Sequence, residues 1–84
     1  MTAMQATAEA IEVEVSTPKG PLTRREVHIL TAVAEGLGNK QIAIRLGISE
    51  NTVHNHLSHV FGKLRASNRT EAVLKAMRLG LQVI

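Results

Sequence analysis

The chain has 84 residues, a formal net charge of +3, no cysteine, tryptophan or tyrosine, and one phenylalanine. This length allows one domain with a modest core. The lack of cysteine excludes a disulfide framework and a thiolate metal site. No apolar run approaches the roughly 20 residues of a membrane-spanning helix, and the N-terminus lacks the basic and apolar regions of a signal peptide.

Charge divides the chain into two parts. Residues 1–21 carry three acids and one base, a net charge of −2, whereas residues 22–84 carry nine bases and four acids, a net charge of +5. Residues 16–21, Ser-Thr-Pro-Lys-Gly-Pro, gather types that interrupt regular structure, and the apolar–acidic alternation at 11–15 fits a short strand of a larger parent protein. We predict a flexible acidic linker or tail over 1–21 and a basic domain, suited to phosphates, over 22–84.

A first helix is predicted to begin after Thr23. The sequence Thr-Arg-Arg-Glu is a capping box, in which the Thr23 hydroxyl accepts from the Glu26 amide and the Glu26 side chain accepts from the Thr23 amide. The predicted buried side consists of Val27, Ile29, Leu30, Val33 and Ala34. Gly36 ends this helix. Gly36-Leu37-Gly38 is interpreted as a cap and connector, because it lacks the preceding strand and the third glycine of a phosphate loop.

Residues 39–64 have the pattern of two short helices joined by a tight turn. Asn39 is predicted to cap the first of them, and Gly47 ends it by allowing the left-handed conformation. Ser49 then caps a longer helix. Ala43 is small enough for the two helices to approach closely, and the whole order is typical of a helix-turn-helix. The alternative is a plain helical hairpin inside another all-α domain.

The longer helix has two distinct faces. Its apolar residues recur at steps of four and three, which is one stripe at helical period; they are Val53, Leu57, Val60 and Leu64, with Phe61 beside them. Polar and small residues recur on the opposite side: Asn51, His54, Asn55, Ser58 and Gly62. We predict that the stripe packs on the core and that the polar face enters the major groove of DNA.

A fourth helix is predicted from Asn68, which opens the capping pattern Asn-Arg-Thr-Glu, to about Leu79. Its candidate core residues are Ala72, Val73, Ala76, Met77 and Gly80. Four further apolar residues exceed the need of a small core: Leu74, Leu81, Val83 and Ile84. They predict an exposed partner surface, or else a tail that folds back over the first helix.

Catalytic and metal chemistry are not predicted. His56 and His59 lie one turn apart, and His54 is on the same helix, but no cysteine or nearby carboxylate completes a zinc site. The serines lack a nucleophile elbow and an oriented base, and no carboxylate pair suits acid–base catalysis. We therefore expect no enzymatic activity, no metal and no cofactor.

Taken together, these residues resemble the LuxR-type (NarL/FixJ/GerE-like) DNA-binding domain. The matching segments follow the family's order and spacing: LTRRE at 22–26, AEGLGNKQIAIRLGIS at 34–49, TVHNH at 52–56, KL at 63–64 and NRTEAV at 68–73. The resemblance implies an all-α, four-helix helix-turn-helix domain without a wing, which binds double-stranded DNA to regulate transcription. It further implies the effector domain of a bacterial response regulator, or a small stand-alone regulator, that is cytoplasmic and associates with the nucleoid when bound to DNA.

The resemblance also implies roles for individual residues. Those expected to meet bases are Asn51, His54, Asn55 and Ser58, and those expected to hold phosphates are Asn39, Lys40, Thr52 and Lys63. The family usually has a base-reading lysine where this chain has His54, so salt-dependent attraction should be weaker and the base read there is in doubt. Asn55 can still recognise adenine through a pair of hydrogen bonds to N6 and N7. Arg69 and Glu26 match positions often used inside the fold.

The partners implied by the resemblance include a second copy of the chain. Family members commonly dimerise through the fourth helix, and the candidates here are Leu74, Arg78 and Leu81. An upstream receiver or sensor domain and RNA polymerase are further implied partners, and a membrane is not. Two alternatives stay open: a sigma-factor-like promoter-binding region, and a protein-interaction module that uses the apolar C-terminal helix.

Overall fold

A computed structural model describes residues 14–82, which form four helices and one small sheet. In chain order the elements are β1 (Ser16–Thr17), β2 (Gly20–Pro21), α1 (Arg24–Ala34), α2 (Asn39–Leu46), α3 (Glu50–Leu64) and α4 (Arg69–Arg78). The four predicted helices are confirmed, and the sheet is an addition to the expected all-α domain. It precedes α1, and the absence of a DNA-binding wing stays a prediction.

The two strands form an antiparallel hairpin. Ser16 lies opposite Pro21 and Thr17 opposite Gly20. Gly20 has a φ of +109°, a region that glycine enters without a Cβ clash, and its carbonyl accepts from the Thr17 hydroxyl at 2.6 Å. Residues 16–21, whose types commonly interrupt regular structure, therefore form a hairpin and its turn here.

The hairpin is attached to the domain by apolar packing. The side chains of Val15 and Leu22 are 0% and 6% exposed, and the Leu22 amide donates to the Val15 carbonyl at 2.8 Å. Residues 14–21 therefore differ from the flexible linker that the charge pattern suggested, because burying Val15 favours order over a solvated chain. Residues 1–13, which belong to the same prediction, lie outside the described part.

One core joins the helices. α1, α3 and α4 contact one another, and α2 packs mainly against α3. The buried apolar residues are Val15, Leu22, Ile29, Leu30, Ala32, Val33, Ile42, Ala43, Val53, Leu57, Val60, Leu64, Ala72, Ala76 and Leu81. On α1 the predicted Val27 and Ala34 are only half-buried. Ala32, which the sequence pattern did not select, is buried, and so is Glu26, which the resemblance placed inside the fold.

Side-chain caps fix where three of the helices begin. Thr23 and Glu26 form the predicted capping box, with hydrogen bonds of 3.1 and 2.8 Å. The Ser49 hydroxyl accepts from the amide three residues on at 3.0 Å, and Asn68 does the same at 2.8 Å. Because each cap satisfies an amide that the helix leaves unpaired, these boundaries were predictable from local sequence.

The start of α2 differs from the prediction. Asn39 is the first residue of the helix, and the N-cap is Gly38. The Gly38 amide donates to the Gln41 side chain at 2.9 Å. The Asn39 side chain instead accepts from Arg69 across the domain, at 2.8 Å.

The end of α4 also corrects the prediction. Leu81 is 5% exposed and belongs to the core, whereas Met77, predicted to face the core, is 46% exposed. Gly80 has a φ of +122°, which turns the chain so that the Leu81 amide reaches the Ala76 carbonyl at 2.9 Å. Helical spacing therefore stops applying at Gly80. No helix within residues 14–82 is long and apolar enough to cross a membrane.

Candidate nucleic-acid interface

The turn between α2 and α3 sets the position of the longer helix. Gly47 adopts the left-handed conformation with a φ of +69°, as predicted. The Ile48 amide then donates to the Ala43 carbonyl at 3.0 Å, and the half-buried Ile48 packs against the core. The chain thus turns within three residues and enters α3 at the Ser49 cap.

The apolar stripe of α3 anchors the helix. The four predicted residues of the stripe are all buried, at 0% to 4% exposure: Val53, Leu57, Val60 and Leu64. Phe61 is half-buried and packs beside them. Burying one such side chain contributes about 1.5–3 kcal/mol. The helix therefore presents one fixed face to the core and the opposite face to solvent.

The solvent face carries the four side chains predicted to meet bases. Asn51, His54, Asn55 and Ser58 are all exposed. Within the described part of the chain, none of the four makes a side-chain hydrogen bond to another residue, so their polar groups are open to a ligand. They span seven residue steps, or about 10 Å of helix. Asn, Ser and His are types that hydrogen-bond to base edges.

Two of the predicted phosphate contacts are available at the surface. Lys40 is exposed, and in residues 14–82 its ammonium has no hydrogen bond or ion pair. Thr52 lies in the first turn of α3, where its hydroxyl is 2.9 Å from that of Ser49. Since the amino ends of helices attract anions, Thr52 is well placed for a phosphate.

The other two predicted phosphate contacts are engaged inside the domain. Asn39 accepts from Arg69. The Lys63 ammonium donates to Glu26 at 2.8 Å and to the Pro21 carbonyl at 3.1 Å. The Lys63 side chain is only 24% exposed. These bonds engage the Asn39 Oδ1 and two of the three Lys63 donors. The Asn39 Nδ2, the atom that could donate to a phosphate, makes no hydrogen bond within residues 14–82.

The Glu26–Lys63 pair is the most buried electrostatic contact among the described residues. The Glu26 side chain is 5% exposed. Burial alone would raise the pKa of Glu26, but hydrogen bonds from Lys63 and the Thr23 amide, together with the charge of Lys63, hold that pKa below its ordinary value of 4.5. Glu26 is therefore a carboxylate at neutral pH, and it fixes the carboxyl end of α3 to α1 and the hairpin.

Comparison with known proteins settles the family. The sequence profile of the family described as "Bacterial regulatory proteins, luxR family" matches residues 20–76. The chain belongs to this family. The match confirms the predicted resemblance and favours it over the sigma-factor-like alternative. It also confirms that this LuxR-family chain is a helix-turn-helix DNA-binding domain of the kind that regulates transcription.

Individual relatives agree with the family assignment. The transcriptional regulatory protein YdfI of Bacillus subtilis (strain 168) is 49% identical over 63 residues, which are 75% of this chain and 30% of YdfI. The structure of the transcription factor GerE is 44% identical with a TM-score of 0.68, covering 70% of this chain and 88% of GerE. The response regulator ChrA of a heme-sensing two-component system is 37% identical with a TM-score of 0.73, over 94% of this chain and 37% of ChrA. The chain therefore spans less than a third of the curated relative.

The fourth helix of the LuxR-family domain offers a partly apolar surface. Leu74 is 51% exposed, and Arg78 is exposed one turn further on. Leu81, the third predicted dimer contact, lies in the core and is removed from this set. Val83 and Ile84 lie outside the described residues. The surface left for a partner is therefore centred on Leu74, Met77 and Arg78.

Some contacts near the site were not evident from the sequence. The Lys75 ammonium donates at 2.7 Å to the carbonyl of Arg65, the left-handed residue that ends α3 with a φ of +54°. Arg45 pairs with Glu35 at 2.8 Å, with both side chains exposed. Each pair joins the residue that ends one helix to a residue ten positions away on the next helix, where helical spacing gives no signal. No group of three metal-ligating side chains occurs in residues 14–82.

Proposed function

We propose that this domain recognises duplex DNA by placing α3 in the major groove, with Asn51, His54, Asn55 and Ser58 against the base edges. The observation that carries the proposal is the division of α3 into a fully buried stripe and an exposed polar face. A helix fixed in this way can enter the groove without rearranging. Its polar face is about 10 Å long, which matches three base-pair steps of about 3.4 Å each.

The phosphate contacts proposed here are Lys40 and Thr52. Both lie near the amino ends of the two helices of the motif, where the backbone favours anions. Such contacts set register and orientation and carry little sequence information. Asn39, through its amide nitrogen, and Lys63 stay further candidates, although their bonds to Arg69 and Glu26 also hold the domain together.

The proposed assembly on DNA is a homodimer through α4. Leu74 and Arg78 remain the candidate contacts, supported by their exposure. Dimerisation would place two α3 helices on half-sites about one DNA turn, or 34 Å, apart. We also propose a receiver or sensor domain as a partner, because ChrA is a response regulator. RNA polymerase as a further partner and a cytoplasmic, nucleoid-associated location are proposed because the family consists of bacterial regulatory proteins.

The test starts from selection of a preferred site out of a random-sequence duplex pool with the 84-residue chain. Asn55→Ala should then weaken binding to that site by about 1–3 kcal/mol, roughly 5- to 150-fold, because a bidentate base contact is lost. Binding to random duplex DNA should hardly change. Gln82→Ala removes an exposed amide elsewhere and serves as the matched control. Equal losses on both DNAs would refute base reading by Asn55.

A further inference from the structure

The Arg69 guanidinium bridges two separate parts of the domain. Arg69 is the first residue of α4. It donates from Nη1 to the Asn39 Oδ1 at 2.8 Å and from Nη2 to the Leu37 carbonyl at 3.1 Å. Both contacts are partly buried. The two acceptors flank Gly38, the N-cap of α2, so one planar group holds the point where α2 begins.

The position of Arg69 is unfavourable for its own helix. Cations are disfavoured at helix amino ends, and Arg69 lies at the start of α4 and beside the start of α2. The other three helices each have an acid in their first turn, namely Glu26, Glu50 and Glu71, while α2 has none. Local helix stability does not account for the charge at this corner, whereas the hydrogen bonds from Arg69 to Asn39 and Leu37 do.

Lys40 follows directly after the residue that Arg69 holds. The Asn39 side chain is turned toward Arg69 instead of capping α2, and Lys40 is exposed in the same first turn. We propose that Arg69 is a positioning residue that orients the start of α2 so that Lys40 meets a DNA phosphate. This inference rests on the proposed function, and it links the orientation of Lys40 to α4, the helix of the proposed dimer surface.

The shape of the guanidinium makes it possible to distinguish a positioning role of Arg69 from an effect of its positive charge. Arginine presents two parallel donors and can hold both acceptors at once, whereas lysine places the same charge at a single point. Arg69→Lys therefore keeps the electrostatic field and loses the bridge. Asn39→Ala removes one acceptor and leaves Arg69 in place. If Arg69 acts by positioning, both variants should lose the Lys40 contact.

The experiment is a salt series of binding to one fixed duplex. It compares the unmodified chain with Arg69→Lys, Asn39→Ala, Lys40→Gln and the Arg69→Lys/Lys40→Gln double variant. Thermal unfolding followed by circular dichroism identifies a temperature at which every chain is folded, and the binding measurements are made there. Each phosphate contact contributes about 0.9 to the log–log salt slope on duplex DNA. We expect each single variant to lower the slope by about that amount, and the double variant to match Lys40→Gln alone.

The outcomes separate the two levels of the proposal. An unchanged slope in Arg69→Lys and Asn39→Ala, or a further drop of about 0.9 in the double variant, would overturn the positioning role even if stability falls. If Arg69→Lys does not fold, Asn39→Ala decides alone against Lys40→Gln. No salt-dependent binding by the unmodified chain would overturn the proposed function, and this inference with it.

Discussion

Replacing Lys63 by methionine should destabilise the domain by about 2–3 kcal/mol. Removing one partner from a fully buried ion pair costs about 3–5 kcal/mol, and an exposed pair contributes about 0–1 kcal/mol. The Glu26 and Lys63 side chains are 5% and 24% exposed, which places this pair nearer the buried limit. Methionine keeps most of the apolar stem, so the loss reports on the unpaired carboxylate.

A second substitution should recover part of that loss. In the Lys63→Met background, Glu26→Gln removes the buried charge and keeps an oxygen that accepts from the Thr23 amide. Because an unsatisfied buried charge costs more than a neutral amide, the double variant should be more stable than Lys63→Met by about 1–2 kcal/mol. Arg45→Met, which removes the exposed pair with Glu35, is the matched control and should cost no more than about 1 kcal/mol.

The effect of Lys63→Met should depend on pH. The pKa of Glu26 in the folded state lies below its ordinary value of 4.5, so the unfolded chain binds the proton more readily. The stability from this carboxylate is then fully present above pH 4.5 and is lost as the pH falls through the folded-state pKa. The deficit of Lys63→Met should therefore be largest near neutral pH and shrink in acid.

The measurement is urea unfolding followed by helical circular dichroism, since the chain has no tryptophan or tyrosine to report by fluorescence. Each variant is measured at pH 7 and at several values below 4.5. A loss below about 0.5 kcal/mol for Lys63→Met at pH 7 would refute the reasoning. A loss equal to that of Arg45→Met would show that the pair behaves as an exposed one.

Three further substitutions test other parts of the structure. Val15→Ala should lower the free energy of unfolding in urea by about 2 kcal/mol, because two buried carbons and their packing are lost. The control Glu14→Ala, at the exposed neighbouring position, should lower it by almost nothing. Similarly small losses for both variants would show that the hairpin is not part of the cooperative domain. Leu81→Ala should cost about 2–5 kcal/mol without changing oligomeric state. Leu74→Ala should instead weaken dimerisation on a two-half-site duplex in analytical ultracentrifugation, and an unchanged dimer would exclude that surface.

Local sequence predicted the helices and the exposed face of α3 well. The capping box at Thr23, the caps at Ser49 and Asn68 and the left-handed Gly47 act within a few residues, so their signals can be read directly. The stripe on α3 was equally clear, because a regular helix converts spacing into position. The same spacing fixed which polar side chains face outward.

Contacts between distant residues were not predictable in this way. Lys63 and Glu26 are 37 positions apart, and Arg69 and Asn39 are 30 apart. The packing of the helices decides whether a polar side chain stays available to a phosphate or binds another side chain. Spacing along a single helix carries no information about that packing. The hairpin was missed because the alternation at 11–15 placed a strand too early, whereas the strands are Ser16–Thr17 and Gly20–Pro21. They are two residues each and contain proline and glycine, so they show no strand periodicity.

The packing of Val15 changes the geometry of any domain joined on the N-terminal side. A tether to such a domain would begin at residue 14 and not at residue 22, which removes about 27 Å of maximum reach at about 3.4 Å per residue. A shorter tether raises the effective concentration of one domain at the surface of the other. The hairpin would thus act as a spacer of fixed direction, through which the position of a neighbouring domain limits the approach of α3 to DNA.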